Sequence, residues 1–171
     1  MKSKRVLTVL FMVFSIAFSF SQERTKKELR TDRKLETANL IQVLIDSKEF
    51  TFIGRKAIPQ GYSAVDLTTN DNFLEFTPTL IKSEMPFFGR GYSGIGYGGD
   101  KGLKFEGNPT EFFVMKGKRS FEIKAVVRGE NDVFKIILSV FFEGSATLTI
   151  NSNDRSSISY YGEITTIENL K

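Results

Sequence analysis

Between residues 111 and 164 the sequence holds five runs of strand periodicity separated by four short turns rich in Gly or Asn. The runs cover 111–116, 120–128, 133–142, 145–150 and 157–164. Their breaks are Lys116-Gly117-Lys118, Gly129-Glu130-Asn131, Glu143-Gly144 and Asn151-Ser152-Asn153-Asp154. A period of two places successive side chains on opposite faces of a strand. Links this short leave no room for a crossover, so neighbouring strands must run antiparallel. The pattern predicts a five-stranded meander. It also assigns faces. Phe121, Ile123, Ala125 and Val127 share one face of their strand, while Glu122, Lys124 and Arg128 share the other. The run 133–142 is apolar on nearly both faces, with Phe134, Ile136, Leu138, Val140 and Phe142 against Val133, Ile137 and Phe141. It should be central, or covered on its second face. In 145–150, Thr147 and Thr149 alternate with Ala146, Leu148 and Ile150, which leaves one face solvated.

Earlier in the chain the period is different. No Pro or Gly occurs between Gln22 and Phe52. Leu40, Ile41, Leu44 and Ile45 form two adjacent i,i+4 pairs, one apolar stripe of a helix. A helix is expected over 25–47, its second half docked and its charged first half solvated or frayed. Interleaved charges of both signs make that first half a solvated helix face in preference to a binding arm. After Glu49 the period changes to two, and FTFIGRKAI reads as a strand closed by a turn at Pro59-Gln60-Gly61. Residues 63–69 and 73–77 read as a hairpin around Thr69-Asn70-Asp71-Asn72, because Asn and Asp tolerate turn geometry. A further short strand is expected over 79–84.

The first 21 residues are read as a targeting segment. Lys2, Lys4 and Arg5 precede an apolar run from Val6 to Phe20, too short for a membrane-spanning helix, which needs about 20 apolar residues. Small residues close the run, with Ser19 and Ser21 at −3 and −1 of a cut before Gln22. The expectation is a cleaved secretory signal, a periplasmic or extracellular location, and no transmembrane anchor after cleavage. A lipid anchor would need a Cys, and the chain has none. The whole sequence carries 24 basic and 20 acidic residues. Removing the three signal bases leaves a nearly neutral chain, so its net charge implies no acidic partner.

The residue inventory restricts chemistry. Cys, His and Trp are all absent. No disulfide, no Cys/His zinc site, no Ser-His-Asp triad and no Cys-His pair can be built from this chain. Gly89-Arg90-Gly91-Tyr92-Ser93-Gly94 spells G-x-G-x-x-G, but Ile95-Gly96-Tyr97-Gly98-Gly99 follows. Gly costs about 1 kcal/mol per helical position, so the helix that a dinucleotide site requires cannot start here. Asp100, Glu106 and Glu111 are scattered carboxylates with no spacing that makes them a glycosidase pair. Asn151, Asn153 and Asp154 lack the spacing of a calcium loop. Ser157 and Ser159 have no His base and no nucleophile elbow. Lys and Arg are spread out rather than clustered, which argues against nucleic acid. The reading is a non-enzyme with no metal and no cofactor.

Two segments carry a family resemblance. One runs Met85-Pro86-Phe87-Phe88-Gly89-Arg90-Gly91-Tyr92, through Tyr97-Gly98-Gly99, to Gly102-Leu103-Lys104-Phe105. The other is Asn153-Asp154-Arg155-Ser156-Ser157-Ile158-Ser159-Tyr160-Tyr161-Gly162. With Phe50-Thr51-Phe52, Pro59-Gln60-Gly61 and Asp66-Leu67-Thr68, they resemble domain of unknown function 4251, found in secreted or lipid-anchored proteins of Bacteroidetes. The resemblance covers about 36–164. It implies an envelope location and assigns no activity and no catalytic residue.

The expected fold is α+β: an N-terminal helix packed on a predominantly antiparallel sheet of about eight strands, curved or two-layered, with a C-terminal meander. The expected organisation is a signal peptide over 1–21, a charged helical or frayed arm over 22–36, and one α+β domain over 37–171. Seven of the fourteen Gly fall between Gly89 and Gly102. Loops held by a rigid scaffold are where binding residues concentrate. The candidate binding or loop-organising residues are therefore Arg90, Tyr92, Tyr97, Asp100, Arg155 and Tyr160, with Arg90 and Arg155 favoured as clamps between their two loops. The expected role is an envelope module that binds a partner protein or a surface glycan. The alternative is a carrier of a small hydrophobic ligand in a curved sheet, and a carboxylate-pair hydrolase comes third.

Overall fold

The change of period near residue 49 is where the helix gives way to the sheet. A computed structural model describes residues 26–69, 72–92, 102–129 and 132–167. The chain divides into two compact units, Met1–Arg33 and Lys34–Lys171. Among described residues, the first holds the opening turns of helix α1 (Lys26–Ser47). The second holds the rest of α1 and all ten strands. Helix α1 ends where Ser47 Oγ donates to the Leu44 carbonyl at 2.8 Å. Lys48 then adopts a left-handed backbone, φ 58°, and turns the chain into the first strand. Ile41 and Ile45 are buried and Leu44 flanks them. Leu40, read from the sequence as part of the same stripe, is 61% exposed. At 100° per residue Leu40 lies farther round the helix from the Ile41–Ile45 pair than Leu44 does, and it points to solvent.

The strands are β1 (Phe50–Pro59), β2 (Val65–Asp66), β3 (Phe73–Phe76), β4 (Ile81–Met85), β5 (Leu103–Gly107), β6 (Pro109–Lys116), β7 (Ser120–Arg128), β8 (Val133–Phe141), β9 (Ser145–Ser152) and β10 (Ile158–Thr165). They form one continuous sheet in the order β5-β4-β3-β1-β10-β9-β8-β7-β6, with β2 also paired to β1. Every pairing is antiparallel. The meander β6 to β10 is as the turn spacing predicts. Its central strand β8 buries every second side chain from Phe134 to Val140, and the positions between them are half-buried except exposed Lys135.

The sheet curls so far that its two ends approach each other. Phe105 on β5 stacks on Phe134 of β8 at 4.0 Å, and Phe76 on β3 meets Phe112 on β6 edge-on at 6.4 Å. Lys48, just past α1, sits over the Phe112 ring at 5.0 Å. The architecture is therefore a nearly closed curved sheet in place of two layers. It has ten strands where about eight are expected. Strand β5 accounts for part of the difference. Its Leu103 and Phe105 are buried and alternate with exposed Lys104 and Glu106.

The hairpin expected from 63–69 and 73–77 does not form. Strands β2 and β3 lie end to end along the same edge of β1: Lys56 and Ala57 pair with β2, and Phe50 to Phe52 pair with β3. The ten-residue β1 is long enough to template both. The buried side chain of Asn72 fixes this arrangement, because its Oδ1 accepts the Gly54 N–H at 2.9 Å. At Gly54 the β1–β10 register slips by one residue, a bulge that bends the sheet. Opposite Gly54 lies Gly162, where a Cβ would collide with the Ile53 carbonyl and come within 2.9 Å of the Phe52 ring. The interior is filled by large side chains, chiefly Tyr160, Phe50, Phe52, Phe76 and Phe121.

Candidate functional site

Two loops that are far apart in sequence are joined through their backbones where β4 ends and β10 begins. The Tyr92 N–H donates to the Asp154 carbonyl at 2.7 Å, and the Ser156 N–H donates to the Arg90 carbonyl at 2.9 Å. These bonds frame an isolated antiparallel bridge between Gly91 and Arg155. Side chains complete the join. Buried Ser156 accepts the Arg90 N–H on its Oγ at 3.0 Å. Tyr160, fully buried on β10, donates its hydroxyl to the Pro86 carbonyl at 2.6 Å. A side chain at Gly89 would meet the Phe87 ring within 2.5 Å, so only Gly lets this loop pass so near it.

The two arginines do different work. Arg155 is half-buried with its guanidinium 5.2 Å from the Phe87 ring centroid, a cation–π geometry. Arg90 projects outward. Its Nε donates to Tyr62 Oη at 3.4 Å, across a separation of 28 residues. That hydrogen bond is the largest influence on the Arg90 pKa and holds it above its ordinary value, with Tyr62 and Tyr92 adding electrostatically in the same direction. Tyr62 is 54% exposed and Tyr92 67% exposed. The result is a solvent-facing guanidinium associated with two exposed phenols on a backbone-clamped loop.

The structure thus brings together Arg90, Tyr92, Arg155 and Tyr160 from the candidates read in the sequence. Tyr97 and Asp100 lie outside the described residues. Tyr160 organises the loop from within and presents nothing to solvent. Tyr62 and Ser156 belong to the site but escape sequence reading. Tyr62 directly follows the Pro59-Gln60-Gly61 turn, and a large aromatic at a turn tip is a signal in its own right. Ser156 gives no such signal in a stretch of small polar residues.

Other singled-out residues fall elsewhere. Glu106 lies opposite Lys82 on β4, and Glu111 lies opposite Val126 on β7. Ser159 shares a 2.8 Å hydrogen bond with Thr149 across β9 and β10. The turn after β9 is organised by Asp132, whose Oδ1 accepts the Val133 N–H at 2.7 Å and the Asn153 N–H at 3.0 Å.

A family model described as Domain of unknown function (DUF4251) matches residues 32–164. No curated protein matches the chain. Among solved structures, a DUF4251 family protein from Bacteroides eggerthii DSM 20697 superposes with a TM-score of 0.60 at 15% sequence identity. The match covers 78% of this chain and 89% of that one. At that identity the likeness is one of fold.

Proposed function

This chain belongs to the family of domains of unknown function DUF4251, and from that footing we propose that it is a non-catalytic envelope module that binds a partner protein through the surface formed by Tyr62, Arg90 and Tyr92. One observation carries the reading: an outward Arg90, hydrogen-bonded to one exposed Tyr and close to another, on a loop pinned by Ser156, Tyr160 and the Gly91–Arg155 bridge. Tyr and Arg dominate the energetics of protein interfaces, since both offer large contact area together with hydrogen bonds. A loop held before binding also loses less entropy when it docks. The secretory reading of the first 21 residues supports an envelope location. Docking on the loop surface uses phenols that are already exposed, Tyr62 and Tyr92.

The test is affinity capture from the envelope of the producing cell, followed by mass spectrometry, with Arg90→Ala and Tyr92→Ala as paired baits. The expected outcome is a protein enriched by the parent chain and reduced at least about tenfold with each variant. Enrichment unchanged in both variants overturns the proposed surface. Retention of the parent chain on envelope polysaccharide, with no protein enriched, favours the glycan reading instead.

A further inference from the structure

Helix α1 carries more apolar surface than its docking uses. Ile41 and Ile45 are buried and Leu44 packs beside them, yet Leu29, Leu40 and Val43 are 42%, 61% and 63% exposed. These exposed residues share one side of the helix. Together with exposed Lys26, Arg33 and Glu36 they recur at alternating spacings of three and four residues: Lys26, Leu29, Arg33, Glu36, Leu40, Val43. That spacing is the heptad seam along which one helix packs on another. Ile41 and Ile45 fall outside it, so the seam and the docked face occupy different sides of α1.

We propose that this seam pairs with the same seam of a second copy of this chain, antiparallel, about a twofold axis between Lys34 and Leu35. A closed contact between two copies requires a surface complementary to itself. The seam meets that requirement when it runs against its own reverse. Leu29 then meets Leu40 of the second copy, Arg33 meets Glu36, Glu36 meets Arg33 and Leu40 meets Leu29. Val43 meets Lys26, whose aliphatic stem covers it while the ammonium stays in water. No layer opposes like charges. Parallel pairing sets every residue against its own copy, so that Arg33 meets Arg33 and Glu36 meets Glu36 in the middle of the seam. Register is selected in the same way. Sliding the copies by one heptad sets Leu40 against Glu36 in one direction and Leu29 against Arg33 in the other. The flanks are compatible with the antiparallel choice, since Arg30 lies beside Thr37 and Asp32 beside Asn39. The contact uses no residue of the loop surface and stands independently of the function proposed above.

The test is light scattering of protein recovered from expression of the full chain. The parent should rise from one chain mass to two as concentration increases from about 1 µM to about 1 mM. Arg33→Glu and Glu36→Arg each place like charges in the central layers, and each should raise the concentration of half-dimerisation at least about tenfold. The double variant Arg33→Glu, Glu36→Arg restores both pairs with their signs exchanged and should dimerise as the parent does. These positions are exposed, so all three variants should keep the parent melting curve at about 1 µM. Direction is tested separately, because the chain has no Cys of its own. Positions 29 and 40 of one chain lie about 16 Å apart along the helix, too far for a disulfide. A Leu29→Cys, Leu40→Cys double variant should therefore link two chains under mild oxidation, while Leu29→Cys alone should link no faster than Lys104→Cys on β5. The proposal is overturned by a parent that stays monomeric, by single charge reversals that leave dimerisation unchanged, by a double reversal that does not recover it, or by Leu29→Cys alone linking as fast as the pair.

Discussion

The meander β6 to β10 and the segment β2 to β5 contribute to the same sheet but are held in place by different means. In the meander, consecutive strands pair over long registers, nine uninterrupted residue pairs between β7 and β8 and seven between β8 and β9, with one slip at the start of β6 between Pro109 and Glu111. Short turns dictate which strand meets which, and the backbone ladder does the rest. In the other region the pairings are short, three residues between β1 and β3 and two between β1 and β2. Side chains make up the difference. Asn72 holds Gly54, Ser83 Oγ donates to the Leu103 carbonyl at 2.7 Å, and Tyr160 holds the Pro86 carbonyl. Local order in the sequence builds one region. In the other, a few buried polar groups must find distant backbone partners. The candidate binding loop belongs to the second kind, which fits the general placement of binding residues on loops carried by a rigid scaffold.

The sharpest break in this comparison is at the line where the two regions join, the pairing of β1 with β10. Gly162→Ala would drive a methyl group into the Ile53 carbonyl and the Phe52 ring, and backbone cannot yield as a flexible side chain can. The expected cost is about 3 kcal/mol or more, the upper range for overpacking. In a chain of this size that lowers Tm by about 6–12 °C. Thermal melting followed by circular dichroism measures it. A shift under about 2 °C would mean that β1 and β10 can separate locally without loss, and that the two regions are less dependent on each other than their shared ladder indicates.

The same contrast governs what the sequence discloses. The five C-terminal strands are legible because alternation and turn signals are both local and agree with each other. The helix is legible for the same reason, though not its docking face, since the apolar stripe alone does not say that Ile41 and Ile45 are buried while Leu40 is exposed. Strand β5 is obscured by its neighbourhood: the alternation Leu103-Lys104-Phe105-Glu106 follows directly on a run of glycines. The pairing of β2 and β3 with β1 is hidden more deeply. Asn72 reads as a turn residue, and only the fold shows that its amide is turned inward onto Gly54, 18 positions earlier. Of the candidate site, Arg90, Tyr92, Arg155 and Tyr160 are legible through the resemblance of their motifs. Tyr62 and Ser156 become partners of Arg90 only across separations of 28 and 66 residues.

A smaller effect, and a more localised one, is expected from Tyr160→Phe. The substitution keeps the buried ring and removes one hydroxyl, leaving the Pro86 carbonyl without its 2.6 Å donor. A fully buried acceptor left without a donor costs about 1–3 kcal/mol, and half-buried Pro86 places this one at the low end, about 1 kcal/mol. Hydrogen exchange distinguishes where that cost is felt. The Tyr92 and Ser156 amides, which join the two loops, should lose protection, while Leu138 and Leu148 in the meander should exchange as in the parent. Equal loss of protection in both places would show that the loop junction and the meander open together, which would erase the distinction drawn between them.

The smallest effect is expected where sequence reasoning placed a clamp. Arg90 is exposed, and its guanidinium reaches Tyr62 on the surface, while the loop itself is joined through the Arg90 backbone: its carbonyl accepts from Ser156, and its N–H donates to Ser156 Oγ. Truncating the side chain leaves both backbone bonds in place. Arg90→Ala should therefore melt as the parent does, as expected of an exposed position with one surface interaction. The same substitution should abolish capture of the partner, because a side chain with little structural task is free to serve binding. A clear fall in melting temperature on Arg90→Ala would make the guanidinium the clamp. Tyr62 would then be part of the loop's framework, and the exposed phenol of Tyr92 would remain as the residue to carry recognition.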